Sequence, residues 1–364
     1  MLVALHVLAV VAGAAIVVAT FFSAVATFVV PRGVPARLTR LVFRGLRGLF
    51  DVRVKLARTY EAGESVMAWY APLSLLLLVG TWLLLTMLGF TLVFRGLGVG
   101  TWALAFETAG SSLTTLGFVP VVGLHRQIAA FVDAGIGLLL LALLITYLPT
   151  IYSSFQRREA IVSRAAMQAG TPPSGVSLLE RFHLISGFDG LEDQVWQPWT
   201  SGFVDIEESH TTIAALPFFR SPRPDRHWVT SAGAVLDAAA LRASITTLPR
   251  EPSAELCIRA GFLALRHIAE FFGIAYDEDP TRGDPISIGR DEWEEVYVRL
   301  AAIGVPVRDD KDEAWLDFMG WRVNYDAVLL AMAGLVMAPY APWISDRGST
   351  RRHRPPIIGR YRAR

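Results

Sequence analysis

The sequence predicts an all-α membrane protein: three transmembrane helices, a short re-entrant helix and loop between the second and third, and a helical cytoplasmic domain behind them. Three observations predict it. Hydrophobic residues make up 53% of the 364 and the mean hydropathy is +0.41, both high for a soluble globule. Three apolar runs are each long enough, as helices, to cross a hydrocarbon core of about 30 Å. Beyond residue 170 the pattern changes to shorter segments of helical period, and alternating strand patterns are scarce.

Residues 1–30 form the first element, an anchor helix whose only strongly polar member is His6. A cleaved signal peptide would carry basic residues ahead of its apolar run. Here they follow it, eight of them between Arg32 and Arg58. That asymmetry predicts an uncleaved span with its N-terminus outside and its other end in the cytoplasm. Residues 31–65 are the basic segment itself. From Leu38 to Phe50, Arg and apolar residues interleave at helical spacing. This reads as an amphipathic helix on the cytoplasmic leaflet, with Arg32–Arg58 against anionic lipids. Its place between two spans argues against a nucleic acid partner. The formal net charge of +1 gives no global polyelectrolyte signal either.

Residues 66–160 form the next domain. The second span is 66–94, with Trp69 and Tyr70 suited to the interfacial belt, Pro72 near the start and Arg95 at the outer boundary. Residues 101–119 are too short to cross as a helix. They divide into a helix, Trp102–Leu113, and a turn from Thr114 to Pro120. The third span is 128–155, and Gln156-Arg157-Arg158-Glu159 closes it on the cytoplasmic side. The charges then agree with one path: out to in, in to out, a dip from outside, out to in.

That order has chemical content. A cation crossing a bilayer must exchange its hydration shell for other oxygens, and carbonyls serve only from non-helical backbone. Irregular backbone at membrane depth must line an aqueous cavity or lie buried in protein. Thr114, Thr115, Leu116, Gly117 and Phe118 provide such backbone. Gly117 can take positive φ and turn a carbonyl inward. Thr115 adds a hydroxyl, and Phe118 can wedge the loop against its surroundings. The preceding helix aims its partially negative C-terminal end at the same place, and Ser111 and Ser112 are placed to satisfy backbone groups around the turn. Glu107 in the short helix and Asp133 in the third span are carboxylates of the kind that tends to be functional in a membrane. Glu107 either pairs behind the loop, raises the local cation concentration or meets water at the outer surface. Gly135 and Gly137 are candidate gating hinges, and Pro149 is expected to break the third span near its cytoplasmic end; Gly and Pro are also commoner in membrane helices generally. Neither span carries the row of Arg that a voltage sensor needs.

The order span, pore helix, Thr-x-Gly-Phe, span, with the stretch Glu107-Thr-Ala-Gly-Ser-Ser-Leu-Thr-Thr-Leu-Gly-Phe118, resembles the two-transmembrane potassium channel pore. The resemblance covers about residues 66–160. It implies a pore helix and filter loop, potassium as the permeant ion, and ion coordination by the backbone of Thr115, Leu116, Gly117 and Phe118. Val119 and Pro120 stand where that family has Gly and Asp. A Val at a left-handed position would be strained. A filter Gly followed by Phe-Val-Pro is also similar to the pore loops of Trk/Ktr/HKT potassium transporters, which carry four unequal repeats where this chain has one. One unit cannot enclose a pore, so a closed cyclic oligomer is needed, and the family implies a homotetramer. The implied location is the bacterial inner membrane, and a basic complement with Lys only at 55 and 311 fits a GC-rich bacterial genome. The alternative is a non-conducting, membrane-anchored helical binding, scaffold or sensor protein derived from a channel.

Residues 171–346 read as the helical cytoplasmic domain. Thr171 to Gly175 looks like a linker. Helical patterns follow at roughly 177–186, 203–216, 227–246, 253–272, 290–303 and 311–337. Residues 327–344 are apolar, but short and interrupted by Pro339 and Pro342, so a buried helix is preferred to a fourth span. No Gly-rich fingerprint, nucleophile elbow or phosphate loop occurs, so no enzyme activity and no cofactor is expected. Glu207 and His210 have metal-ligand spacing, but no second cluster accompanies them; a solvated helix face is preferred to a metal site or a hydrolase centre. His267 reads as a core histidine, and Trp196, Trp199, Trp228, Trp293, Trp315 and Trp321 as core aromatics. Asp277–Asp279 and Asp309–Asp312 are acidic runs expected to favour helix N-termini. The single cysteine, Cys257, excludes an intrachain disulfide. Residues 347–364 form a basic tail expected to be disordered and to touch lipid.

Overall fold

The structure is a computed structural model that describes residues 2–28, 37–56 and 60–347. Of the basic residues assigned to lipid, Arg32, Arg58 and the tail from 348 onward lie outside the described residues. The described elements are helices, with one isolated antiparallel bridge between Thr246 and Val307. They divide into two compact units, one ending at Tyr152 and the other beginning at Ser153.

The first unit contains α1 (Leu2–Phe28), α2 (Arg37–Leu56), α3 (Tyr60–Ala68), α4 (Tyr70–Gly96), α5 (Trp102–Leu113) and the first part of α6 (Leu124–Ala169). Three stretches, Val3–Phe28, Ser65–Gly96 and Leu124–Ala169, are long and apolar enough to cross a membrane. Small residues let α1 and α4 pack backbone to backbone. A Cβ on Gly13 would stand 2.4 Å from the Gly89 carbonyl oxygen. In lipid, where burial of apolar surface drives little helix association, such close approach is what holds helices together. Trp82 adds a hydrogen bond from its indole to Ser23 Oγ at 3.3 Å.

Tyr70, expected at the interfacial belt, packs inside this unit. It is fully buried, donates its hydroxyl to the Phe43 carbonyl at 3.2 Å, and sits between the rings of Phe43 and Phe50. At Trp69, between α3 and α4, the backbone stays α-helical, and the Leu73 amide still donates to the Trp69 carbonyl at 3.0 Å. Helical spacing puts Tyr70 on the face shared with Ser74, Leu75 and Leu78, all buried. Trp69 itself is exposed.

α5 has 12 residues and spans about 18 Å, too little to cross a bilayer. Thr101 caps it, accepting from the Leu104 amide at 3.2 Å. Its Ala105 and Ala109 join Val17, Phe90, Val93, Phe94 and Val99 in the core of this unit, and Ala129, Ala130 and Ile136 of α6 pack onto that cluster. α6 runs for 46 residues with Pro149 inside it. The expected break does not occur. A proline removes one helical hydrogen bond, a loss that membrane helices tolerate when neighbouring groups adjust. α6 also continues to Ala169, well past the expected end at Phe155.

The second unit holds the rest of α6 together with α7 (Gly175–Ser186), α8 (Gln197–Thr212), α9 (Trp228–Ile245), α10 (Pro252–Phe272), α11 (Arg290–Ala302), α12 (Lys311–Arg322) and α13 (Asp326–Val336). A five-residue π turn, Glu192–Trp196, leads into α8. Every residue of α9 except Ala243 is buried. A helix buried on all sides is a central one, and α7, α10, α12 and α13 pack around it. Trp196, Trp199, Trp228 and Trp293 are in the core, whereas Trp315 and Trp321 are half-buried.

Two expectations change here. The pattern 311–337 is two helices, because Asp326 at the start of α13 is held from outside: Ser287 donates both its amide and its hydroxyl to it, at 2.9 and 2.7 Å. And Thr171–Gly175 is a tight turn instead of a linker. Gly175 opens α7 and lies against α9, where a Cβ would meet the Ala238 nitrogen at 2.6 Å. α13 is 11 residues long, about 16 Å, short of a span.

Candidate functional site

The stretch between α5 and α6 is tied to one residue. Thr114 ends α5, with its amide and its hydroxyl both donating to the Gly110 carbonyl, at 3.1 and 2.6 Å. It belongs to the helix end more than to the loop. Thr115 donates its amide to the Ser112 carbonyl at 3.0 Å. Leu116 and Gly117 both donate theirs to the Ser111 carbonyl, at 3.0 and 3.3 Å. Val119 donates to the Ser111 hydroxyl at 3.3 Å. Ser111 is itself buried in the wall of α5.

These bonds set the direction of the carbonyls. In a trans peptide the N–H and the preceding C=O point opposite ways. With the amides of Leu116, Gly117 and Val119 aimed at Ser111, the carbonyl oxygens of Thr115, Leu116 and Phe118 face away from α5. Thr115 at φ 58 and Gly117 at φ 68 are left-handed, while Leu116 and Phe118 are not. Alternation of hand keeps successive amides on one side of the chain. For the β-branched Thr115 this conformation is an outlier, held by the bonds around it. Val119 avoids the left-handed region altogether, so the strain expected there is absent. The residues from Thr114 to Phe118 are exposed.

Around the loop, Gly137 meets the end of α5. A Cβ there would stand 2.1 Å from the Leu113 carbonyl oxygen, whereas Gly135 faces open space. The need for glycine at 137 is thus a packing need. Arg126 fastens the start of α6 to the end of α4, donating to the Leu97 and Gly98 carbonyls at 3.0 Å each and so closing the C-terminus of α4. Asp133 lies on the same face of α6 as Ala129, Ala130 and Gly137. It is fully buried, and neither carboxylate oxygen has a hydrogen-bond partner. Glu107 is exposed and makes no ion pair among the described residues.

The other candidates separate. Glu207 accepts from His267 Nδ1 at 2.7 Å; His267 is exposed and Glu207 half-buried, so His267 is not a core residue. His210 points elsewhere. It is buried with Nε2 3.4 Å from Arg158 Nη1 and Nδ1 3.1 Å from Ser209 Oγ. A guanidinium can only donate, so Nε2 accepts and the ring is neutral. Burial first, then Arg158, holds the His210 pKa well below the ordinary range. No group of three or more metal-ligating side chains occurs among the described residues. Burial pushes the Cys257 thiol up to about 12, which leaves it unreactive. Asp310 caps α12, accepting from Asp312 and Glu313, but Asp277 closes a turn onto Asp279 and precedes no helix directly.

Sequence reasoning missed the buried arginines. Arg158 stood out only as a charge flanking a span. In the structure it is buried and donates to the Leu216 and Phe219 carbonyls at 2.9 and 2.8 Å. No periodicity signals such a role. Compared with known protein families, with characterised proteins and with solved structures, the chain matches none.

Proposed function

We propose that this chain is one subunit of a potassium-channel-like cation channel in a bacterial inner membrane. Its N-terminus lies outside and its second unit is cytoplasmic. Monovalent cations pass down their gradient through rings of carbonyls from Thr115 to Phe118, contributed by four copies. The observation that carries the reading is the tethering of three loop amides to Ser111. It turns successive carbonyls to one side, at the partially negative end of a helix, between two helices long enough to cross a bilayer. Carbonyls so arranged are what a dehydrated cation requires.

The test is flux. The full chain reconstituted in liposomes under opposed K⁺ and Na⁺ gradients is expected to give a reversal potential near the potassium value. Gly117→Ala, which forces a Cβ into left-handed backbone at about 1–2 kcal/mol, is expected to abolish it. Absence of any cation flux from the wild type sinks the reading.

One observation favours a second reading. The carbonyl ladder stops at Phe118, because Pro120 has no amide to continue the pattern. A loop that ends there suits a membrane-anchored helical sensor or binding protein descended from a channel. Silence of both the wild type and Val119→Gly in the same liposomes selects it.

A further inference from the structure

The second unit contains a charged cluster that no pore chemistry uses. Asp237, in the middle of the central helix α9, is 2% exposed. Arg322, fully buried, donates to its Oδ1, and Tyr325 donates to the same oxygen at 2.9 Å. Arg322 also donates to Asp326 Oδ1 at 2.7 Å and to the Trp343 carbonyl at 2.6 Å. Two carboxylates therefore share one guanidinium. Asp326 is completed by Ser287. Asp237 is not, since both of its donors fall on Oδ1. Burial raises its pKa above the ordinary carboxylate range, a cost that a cationic partner would offset.

Asp237 lines a cavity of about 540 Å³, a size ordinary for small-molecule sites. The first turn of α7, Gly175 to Ser177, lines it too. Ser174 at the N-cap makes no side-chain cap bond, and Leu178 is the first amide of α7 to reach a carbonyl, that of Ser174 at 3.1 Å. The amides before it are therefore available to an anion. Arg181, one turn further on, adds a positive charge to the lining. Its guanidinium donates to the Met167 carbonyl and has no carboxylate partner among the described residues. Arg299 also lines the cavity but is neutralised by Glu180.

The two seats adjoin. A Cβ on Gly175 would stand 2.9 Å from the Asp237 Cβ. A ligand that fills both must carry its opposite charges a few ångströms apart. The rest of the wall includes Val176, Val296, Pro342 and Trp343, which favours an apolar body. The geometry points to a binding site for a free α-amino acid with an apolar side chain. The carboxylate lies on the N-terminal amides of α7 and Arg181, the ammonium on Asp237, and the side chain against Val176, Val296 and Trp343. This site is independent of whether the loop conducts.

The experiment is calorimetric titration of the full chain in detergent. L-leucine is the first probe, with 4-methylpentanoate and isoamylamine as the same molecule lacking one charge or the other. Leucine is expected to bind saturably and each half-charged probe about tenfold or more weakly, the loss of one charge-assisted contact. Asp237→Asn leaves Arg322 underpaired and risks the fold, so two other variants carry the test. Ser177→Asp places an acid in the first turn of α7, which suits the helix but repels the ligand carboxylate. Arg181→Ala removes an exposed charge. Both are expected to keep the unliganded melting temperature and to weaken leucine by about tenfold or more. The proposal is overturned if leucine, valine, isoleucine, methionine and phenylalanine all fail to bind at roughly 10 mM. It is equally overturned if either half-charged probe matches leucine, or if Ser177→Asp binds as the wild type does.

Discussion

At the scale of single residues, three amides converge on Ser111, two on its carbonyl and one on its hydroxyl. Ser111→Ala removes only the third. A bond of this kind contributes about 1 kcal/mol. Peptides covering 114–122 are then expected to exchange their amide hydrogens about fivefold faster, with the rest of the chain unchanged; uniform exchange across both proteins contradicts the tether. Asp133 is the opposite case, a carboxylate with no bond to lose. An unsatisfied buried polar group costs about 1–3 kcal/mol, so Asp133→Leu is expected to raise the melting temperature of the purified protein. A drop of similar size would mean that the carboxylate has a partner outside the chain. Of these features the sequence displays Gly117, because glycine in a Thr-rich turn announces positive φ. It does not display the left-handed Thr115 or the contact at Gly137. Those follow from what the folded chain places nearby, and residue type alone carries no trace of it.

At the scale of elements, three helices long and apolar enough to cross a membrane were legible, because about 20 apolar residues in a row leave a plain signal; the extension of α6 beyond Phe155 was not. Nor was the break where α12 gives way to α13, because Ser287 and Arg322 reach Asp326 from other elements. The join between α8 and α9 was equally silent, and it makes a pH prediction. His210 of α8 and His227 at the start of α9 flank the Trp228 ring, with centroids 4.7 and 6.2 Å away. Burial first, then nearby arginines, holds the pKa of each histidine well below the ordinary value of 6.5. A lowered folded-state pKa means that the unfolded chain takes up protons first as pH falls. Stability is therefore fully present above pH 6.5 and declines below it, by up to about 1.4 kcal/mol per pH unit for each histidine. Thermal unfolding read by tryptophan fluorescence is expected to move to lower temperature between pH 7.5 and 5.5. His227→Gln should roughly halve the slope. A melting temperature independent of pH over that range excludes the account.

At the scale of the whole molecule, the question is what covers the loop. Apolar side chains such as Leu116, Phe118 and Phe131, 70%, 64% and 74% exposed in the single chain, are satisfied by lipid as well as by protein. Backbone carbonyls are not. In the proposed orientation the oxygens of Thr115, Leu116 and Phe118 lie at membrane depth, where unbonded polar groups cost several kcal/mol each. A single chain supplies one wall for them. The rest must come from further copies arranged around an axis, with water or cations between. Nothing in one sequence sets the copy number; four comes from the resemblance of the loop to a channel filter. The expected result is a protein mass of four times 39.9 kDa by light scattering in mild detergent, with Gly117→Ala assembling equally well and failing only in flux. That split separates closure of the ring, which the helices decide, from conduction, which the loop decides. A protein that stays monomeric in detergent and in lipid nanodiscs alike leaves the carbonyls facing hydrocarbon, and the channel reading cannot survive it.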